Sequence, residues 1–122
     1  MNKPAPPSGL GHLRIVLNDK AYVGPGRADL LEGIARTGSI SAAGKEMGMS
    51  YKRAWGLVQA LNEGFGGPLV ETARGGAAQG GAVLTPLGQE VLARYRAMEK
   101  ATEAAIADDV AALKALASDI SK

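Results

Sequence analysis

Apolar residues recur through the middle of the chain in steps of three and four. Ala54, Leu57, Val58 and Leu61 fall on one face of a helix. The other side of that helix carries Tyr51, Lys52, Trp55, Gly56 and Gln59. Ser50 stands where its hydroxyl can accept a bond from a free first-turn N–H. A shorter helix precedes it, capped by Ser39 or Ser41 and ended at Gly48, because glycine accepts the left-handed conformation at low steric cost. Residues 38–62 therefore predict two helices joined by a tight turn. Residues 27–37 predict a helix before them, burying Leu30, Leu31, Ile34 and Ala35 and ended by Gly38. Packed across the pair, it makes a three-helix core. The Gly24-Pro25-Gly26 run is read as a break ahead of it.

The flanks follow a different period. Leu13, Ile15 and Leu17 alternate with Arg14 and Val16, the pattern of a half-buried strand. Asn18-Asp19 marks a turn, and residues 21–23 predict the returning strand. Residues 63–68 end the central helix. Residues 69–72 and 82–85 predict two more short strands around a glycine-rich tip, RGGAAQGG, at residues 74–81. A strand, tip and strand directly after two turn-linked helices is the wing of a winged helix. Thr85-Pro86 then opens a helix, with a capping hydroxyl and proline at the first position. That helix runs to about residue 117, and Asp108 offers a point for a new start.

Along it Val91, Tyr95, Met98, Thr102, Ile106, Val110, Leu113, Ala117 and Ile120 form an apolar stripe longer than a small core covers. A second copy of the helix is the simplest cover. The stripe thus predicts a two-fold homodimer, with Val91, Tyr95, Met98, Ile106, Val110 and Leu113 at the interface. The competing arrangement folds residues 110–120 back onto one subunit. The expected fold class is mainly α with a small β component: a winged helix-turn-helix with a long C-terminal dimerisation helix. Residues 1–9, rich in proline, are expected to be a disordered arm. Residues 10–85 form the winged domain, and residues 86–122 the dimerisation helix.

Composition narrows the chemistry. Apolar content is 46% but aromatics only 4%, so Ala, Leu, Ile, Val and Met fill the core. Met47 and Met49 are read as gap-fillers within it. The absence of cysteine excludes disulfides and thiolate metal sites. His12 alone cannot assemble a metal cluster and is expected as an exposed strand residue. No nucleophile–base pair stands out, and the tip lacks the Lys-Ser/Thr of a nucleotide loop. No enzyme activity and no cofactor are therefore expected. No apolar run approaches membrane-spanning length, and the start MNKPAPPSG lacks a signal-peptide core. The expectation is a cytoplasmic protein with no membrane partner.

A net charge of +2 is too small to name a partner. Its distribution says more: residues 1–85 hold nine Lys/Arg against six Asp/Glu, and residues 86–122 five against six. Lys45, Lys52 and Arg53 lie within the two-helix motif, with Arg36 just before it. A helix exposing aromatic, cationic and amide side chains near its N-terminus suits the major groove of double-stranded DNA. On this reading Ser50, Tyr51, Lys52, Arg53, Trp55, Gln59 and Lys45 contact DNA. Arg74 at the wing's edge reaches a phosphate or the minor groove. The alternative from another class is an interaction module whose Trp55, Tyr51 and apolar stripe bind protein.

Two segments carry a resemblance. ARTGSISAAGKEMGMSYKRAWGLVQALN and LVETARGGAAQGGAVLTPLGQEVLARY closely resemble the N-terminal DNA-binding domain of ModE-type molybdate-responsive regulators. That domain is related to the winged helix of LysR-type regulators. The resemblance spans about residues 13–115. It implies a homodimer that reads a two-fold-related operator. It also implies groove-facing roles for Ser50, Tyr51, Lys52 and Trp55, a backbone contact for the glycine-rich wing, and dimerisation through the helix from Pro86. The residues alone place Arg53 on the helix flank, nearer phosphate than bases. Family members with a known effector bind molybdate in C-terminal small-barrel domains. This sequence ends at Lys122 without them, so direct molybdate sensing is not expected; another signal, a partner chain or none would take its place.

Overall fold

Leu30, Leu31 and Ile34 are wholly buried, as their spacing on one helical face requires. They belong to the first helix of a computed structural model that describes residues 9–72 and 81–117. Its elements run β1 (Ile15–Val16), β2 (Tyr22–Val23), α1 (Pro25–Thr37), α2 (Ile40–Glu46), α3 (Tyr51–Gly64), β3 (Val70–Thr72), β4 (Ala82–Leu84) and α4 (Pro86–Leu116). The strands make two antiparallel pairs, β1 with β2 and β3 with β4. The expected disordered arm lies almost wholly outside the described residues, as do Arg74 with most of the wing tip, and Ile120.

The core forms where α1, α2 and α3 meet. Ile40 and Ala43 from α2 and Ala54, Val58 and Leu61 from α3 pack on the α1 leucines, and Leu69, Val70, Ala82 and Leu84 close it from the wing strands. Met47 and Met49 sit half-buried against this cluster. Small residues set the approach of the elements. A methyl group on Gly44 would stand 2.8 Å from the Ala54 methyl, so α2 and α3 touch almost backbone to backbone. A methyl on Gly88 would collide with the Leu69 carbonyl oxygen, which seats the start of α4 on the strand leading into the wing.

Three expectations are corrected here. The Gly24-Pro25-Gly26 run ends β2 as expected, but it also opens α1, which starts at Pro25 and not at about Arg27, with proline in the first turn, where its fixed φ and missing N–H cost nothing. Ala35 is exposed. It lies two turns beyond Ala28 on one stripe of α1, and Val23 and Tyr95 cover only the Ala28 end. His12 is exposed but precedes β1, and Leu17 beyond it is 56% exposed, so the alternating pattern overstates the length of that strand.

The long helix has the expected extent, and its apolar stripe is what needs correcting. The helix is unbroken from Pro86 to Leu116, 31 residues or about 46 Å, and passes straight through Asp108. Nothing in this Ala- and Leu-rich run removes a backbone donor or favours a turn more strongly than the helix. Tyr95, predicted at a dimer interface, is wholly buried within its own subunit. It packs with Val23 and Ala28, and its hydroxyl donates to the Leu13 carbonyl at 2.7 Å. Val91 is half-buried against the same body. Ile106 and Val110 are half-buried and line one groove with Leu10 of the chain's own N-terminal segment. Met98 and Leu113 are exposed, at 38% and 65%. No helix among the described residues is long and apolar enough to cross a membrane.

Arg96 joins α4 to α1, bonding Asp29 at 2.7 Å, Glu32 at 3.0 Å and Glu99 at 3.0 Å. Burial works against its charge, but those three carboxylates outweigh it and raise its pKa. Burial, reinforced by Glu99, pushes the Tyr95 phenol up to about 12.

Two stability measurements check this packing. Gly88→Ala should destabilise by roughly 2 kcal/mol or more, because a backbone oxygen cannot move aside. Gly56→Ala, with nothing within 4 Å, should stabilise by up to about 1 kcal/mol. Equal denaturation midpoints would refute the contact. A Tyr95 phenol raised in the fold stays protonated where the unfolded chain ionises. Stability should therefore be level below pH 10 and fall between pH 10 and about 12, by an amount on the order of 2–3 kcal/mol. Tyr95→Phe should remove that part of the decline while losing about 1 kcal/mol at neutral pH; an unchanged pH profile would contradict the burial.

Candidate nucleic-acid interface

The site begins with two serines. Ser39 caps α2, its hydroxyl accepting from the Ala42 N–H at 3.0 Å, so the first of the two predicted candidates is the one used. Gly38 ends α1 just before it with φ 73°, and its carbonyl accepts from Ala82 N–H at 2.8 Å, which ties this corner to β4. At the far end of α2, Gly48 takes φ 72°. The Met47 and Met49 amides both donate to the Gly44 carbonyl at 3.0 Å, closing the turn. Ser50 then caps α3, accepting from Arg53 N–H at 3.1 Å. α3 leaves the turn with Ala54, Val58 and Leu61 buried beneath it.

The solvent face of α3 is set by about 100° of rotation per residue. Lys52, Gly56 and Gln59 lie opposite the buried stripe, and all three are exposed. Tyr51 and Trp55 stand at one edge, their rings stacked with centroids 6.4 Å apart and planes 12° from parallel. Tyr51 is 57% exposed, whereas Trp55 is half-buried and also packs on the core. Arg53 and Leu57 stand at the other edge, Arg53 exposed and Leu57 half-buried. Lys45 is exposed on α2. The structure thus gathers Ser50, Tyr51, Lys52, Arg53, Trp55 and Gln59 on one helix, with Lys45 on its neighbour. Arg74 lies outside the described residues.

Charge pairing sharpens this face. Arg36 is engaged by Glu46 on α2 through both of its terminal nitrogens. The pair raises the arginine pKa and lowers that of the glutamate. Arg94 pairs with Glu90 at 3.2 Å, and Arg96 with three acids. Among the described residues Lys45, Lys52 and Arg53 make no ion pair. The cations of the two-helix motif are therefore available to an external anion, as are Arg14 and Arg27, which also make no ion pair among the described residues.

Asn62 carries no signal that singles it out in the sequence. Its side chain accepts from the Leu69 and Val70 amides at 2.8 and 3.1 Å and donates to the Val70 carbonyl at 3.0 Å, fixing the end of α3 to β3 and so aiming the wing. Arg14, Tyr22 and Arg27 are likewise missed by sequence reasoning; they form a cationic cluster beside Arg53. The available signal is the hairpin register. Val16 pairs with Tyr22, which puts Arg14 diagonally across from Tyr22 on the same face.

Comparisons with known proteins agree with this geometry. The family model described as bacterial regulatory helix-turn-helix protein, lysR family, matches residues 27–89, from the start of α1 into α4. The molybdenum-pterin-binding protein MopB of Rhodobacter capsulatus is 54% identical over 79 residues, 65% of this chain and 29% of that protein. The DNA-binding transcriptional dual regulator ModE of Escherichia coli is 39% identical over 114 residues, 90% of this chain and 44% of that protein. The chain thus spans less than half the length of these curated relatives. The crystal structure of a CbnR_DBD–DNA complex superposes with a TM-score of 0.55 at 25% identity, covering 70% of this chain and 94% of that one. A LysR family transcriptional regulator at 20% identity and TM-score 0.53 shares the fold.

Proposed function

Since this chain belongs to the lysR family of bacterial regulatory helix-turn-helix proteins, we propose that it binds double-stranded DNA as a homodimer and regulates transcription. The observation that carries this reading is the outward face of α3. Its cations, Lys52 and Arg53, make no ion pair among the described residues, while Arg36, Arg94 and Arg96 hold carboxylates. In this reading α3 lies in a major groove with its N-terminal end toward the bases. Lys52 and Gln59 reach base edges, the amide suiting adenine. Tyr51 and Trp55 supply hydroxyl and apolar contacts. Arg53, Lys45 and Arg74 meet phosphates, and the helix end at Ser50 adds free N–H groups and a positive dipole.

Two such helices, about one helical turn or roughly 34 Å apart, would read a two-fold-related operator. The second subunit joins through α4, whose Met98, Leu113 and Leu116 are exposed at 38%, 65% and 79%. Repression by occluding a promoter requires nothing more than occupancy. The names of the relatives direct the search for regulated genes toward molybdenum. The setting of such a function is the cytoplasm.

Sequencing the fragments that the protein retains from its own genome would supply the operator. On that operator Lys52→Ala should weaken binding by about 1–3 kcal/mol and narrow the gap to random DNA. Equal loss on both would assign Lys52 to the backbone. Affinity that ignores salt would instead favour a protein partner for the Tyr51–Trp55 stack. Leu113→Glu combined with Leu116→Glu should give monomers in sedimentation; a surviving dimer would move the interface off the end of α4.

A further inference from the structure

The two edges of α3 are built differently. Trp55 and Gln59 border a cavity of about 290 Å³ shared with Val70 and Thr72 of the wing. Arg53, on the other edge, borders a cavity of about 210 Å³ shared with His12, Arg14, Tyr22, Arg27 and Met49. The residues lining this second cavity include three arginines and a histidine and no carboxylate. A helix in a major groove has a sugar–phosphate strand on either side. The wing attends to one edge of α3, and the arginine cavity lies on the other.

Its construction favours an anion. The Arg14 and Arg27 guanidinium carbons stand 3.9 and 3.8 Å from the centroid of the same Tyr22 ring. The ring's attraction for each cation opposes their mutual repulsion without neutralising either. Nε and Nη1 of Arg27 are shielded from solvent and have no hydrogen-bond partner among the described residues. Buried charged donors left without an acceptor are costly. α1 begins at the same place. Gly24, Pro25 and Gly26 line the cavity, and no side chain caps this 13-residue helix. The positive end of its dipole therefore adds to the arginines.

We propose that Arg14, Arg27 and Arg53, with the opening turn of α1, seat one tetrahedral phosphate taken from the DNA strand on the side of α3 away from the wing. This rests on the DNA-binding reading and adds to it a contact outside the helix-turn-helix and the wing. A free oxyanion has the same chemistry, so the test separates the two sources.

The test titrates a duplex of scrambled sequence at several sodium chloride concentrations. Arg14→Gln and Arg27→Gln should each flatten the dependence of log affinity on log salt, and together flatten it by about 0.9, the share of the single phosphate they hold, with equal losses on every sequence. Arg27→Lys, which keeps the charge, should retain most of the slope. Arg14 is exposed, so its variant reports even if the Arg27 substitutions unfold, which melting curves would reveal. A wild-type slope in folded Arg14→Gln and Arg27→Gln overturns the seat and leaves DNA binding intact. A flat slope in the wild type removes both readings. Without DNA, sodium phosphate at matched ionic strength should produce no saturable shift in the Gly26 and Arg27 amide resonances. A saturable shift with unchanged salt slopes would reassign the seat to a free oxyanion and overturn the backbone assignment.

Discussion

Two residues with almost no side chain decide how the outward face of α3 is presented. Gly44 and Ala54 meet where α2 crosses α3, and no space remains for one more carbon. The same glycine's carbonyl receives the Met47 and Met49 amides, so one residue sets both the distance between the helices and the hydrogen bonds of the turn. α2 has seven residues, too few to hold a helix on its own. Its geometry comes from packing, and packing this close admits one crossing angle. Every outward direction on α3 is fixed by that angle, since the buried stripe of Ala54, Val58 and Leu61 leaves the helix no freedom to roll.

How much of this the sequence disclosed depends on the range of each interaction. Caps and terminators are local, three or four residues from cause to effect, and Ser39, Ser50, Thr85, Gly38 and Gly48 act where their chemistry places them. The face of α3 was legible for the same reason: helical period alone separates Ala54 and Val58 from Lys52 and Gln59. What failed was long-range. Tyr95 reaches Leu13 across 82 positions. Arg14 and Arg27 converge on Tyr22 only because the β1–β2 hairpin folds onto the start of α1, which no periodicity encodes. Gly24-Pro25-Gly26 ends β2 as read, and only the helix start within it was misplaced. Glycine and proline signal a break and a helix start equally well, and the helical period of the residues after the run decides between them.

Net charge was a poor guide because the chain cancels much of its charge internally. Arg96 gathers Asp29, Glu32 and Glu99, and Arg36 engages Glu46. These pairs lie largely at the surface and contribute little to stability individually. Their larger consequence is spatial. They engage acids of α1, α2 and α4, while Lys45, Lys52 and Arg53 have no such partner among the described residues.

The long helix shows where an apolar stripe stops being informative. Val91, Tyr95, Met98, Ile106, Val110 and Leu113 look alike in sequence, yet the structure divides them among three surroundings. Tyr95 and Val91 are taken by the subunit's own core. Ile106 and Val110 share a groove with Leu10. Only Met98 and Leu113 stay open, joined by Leu116, which lies three residues past Leu113 on the same side of the helix. Periodicity reports that a face is apolar and is silent on what covers it. The coverage runs out toward the C-terminal end, about 30 Å beyond Tyr95 at a rise of roughly 1.5 Å per residue. A partner helix seated on Leu113 and Leu116 would therefore engage α4 far from the body that holds α3. A short error in angle at that distance becomes a large displacement of α3, so a contact between subunits there would govern the separation of the two α3 helices more strongly than anything in the winged domain.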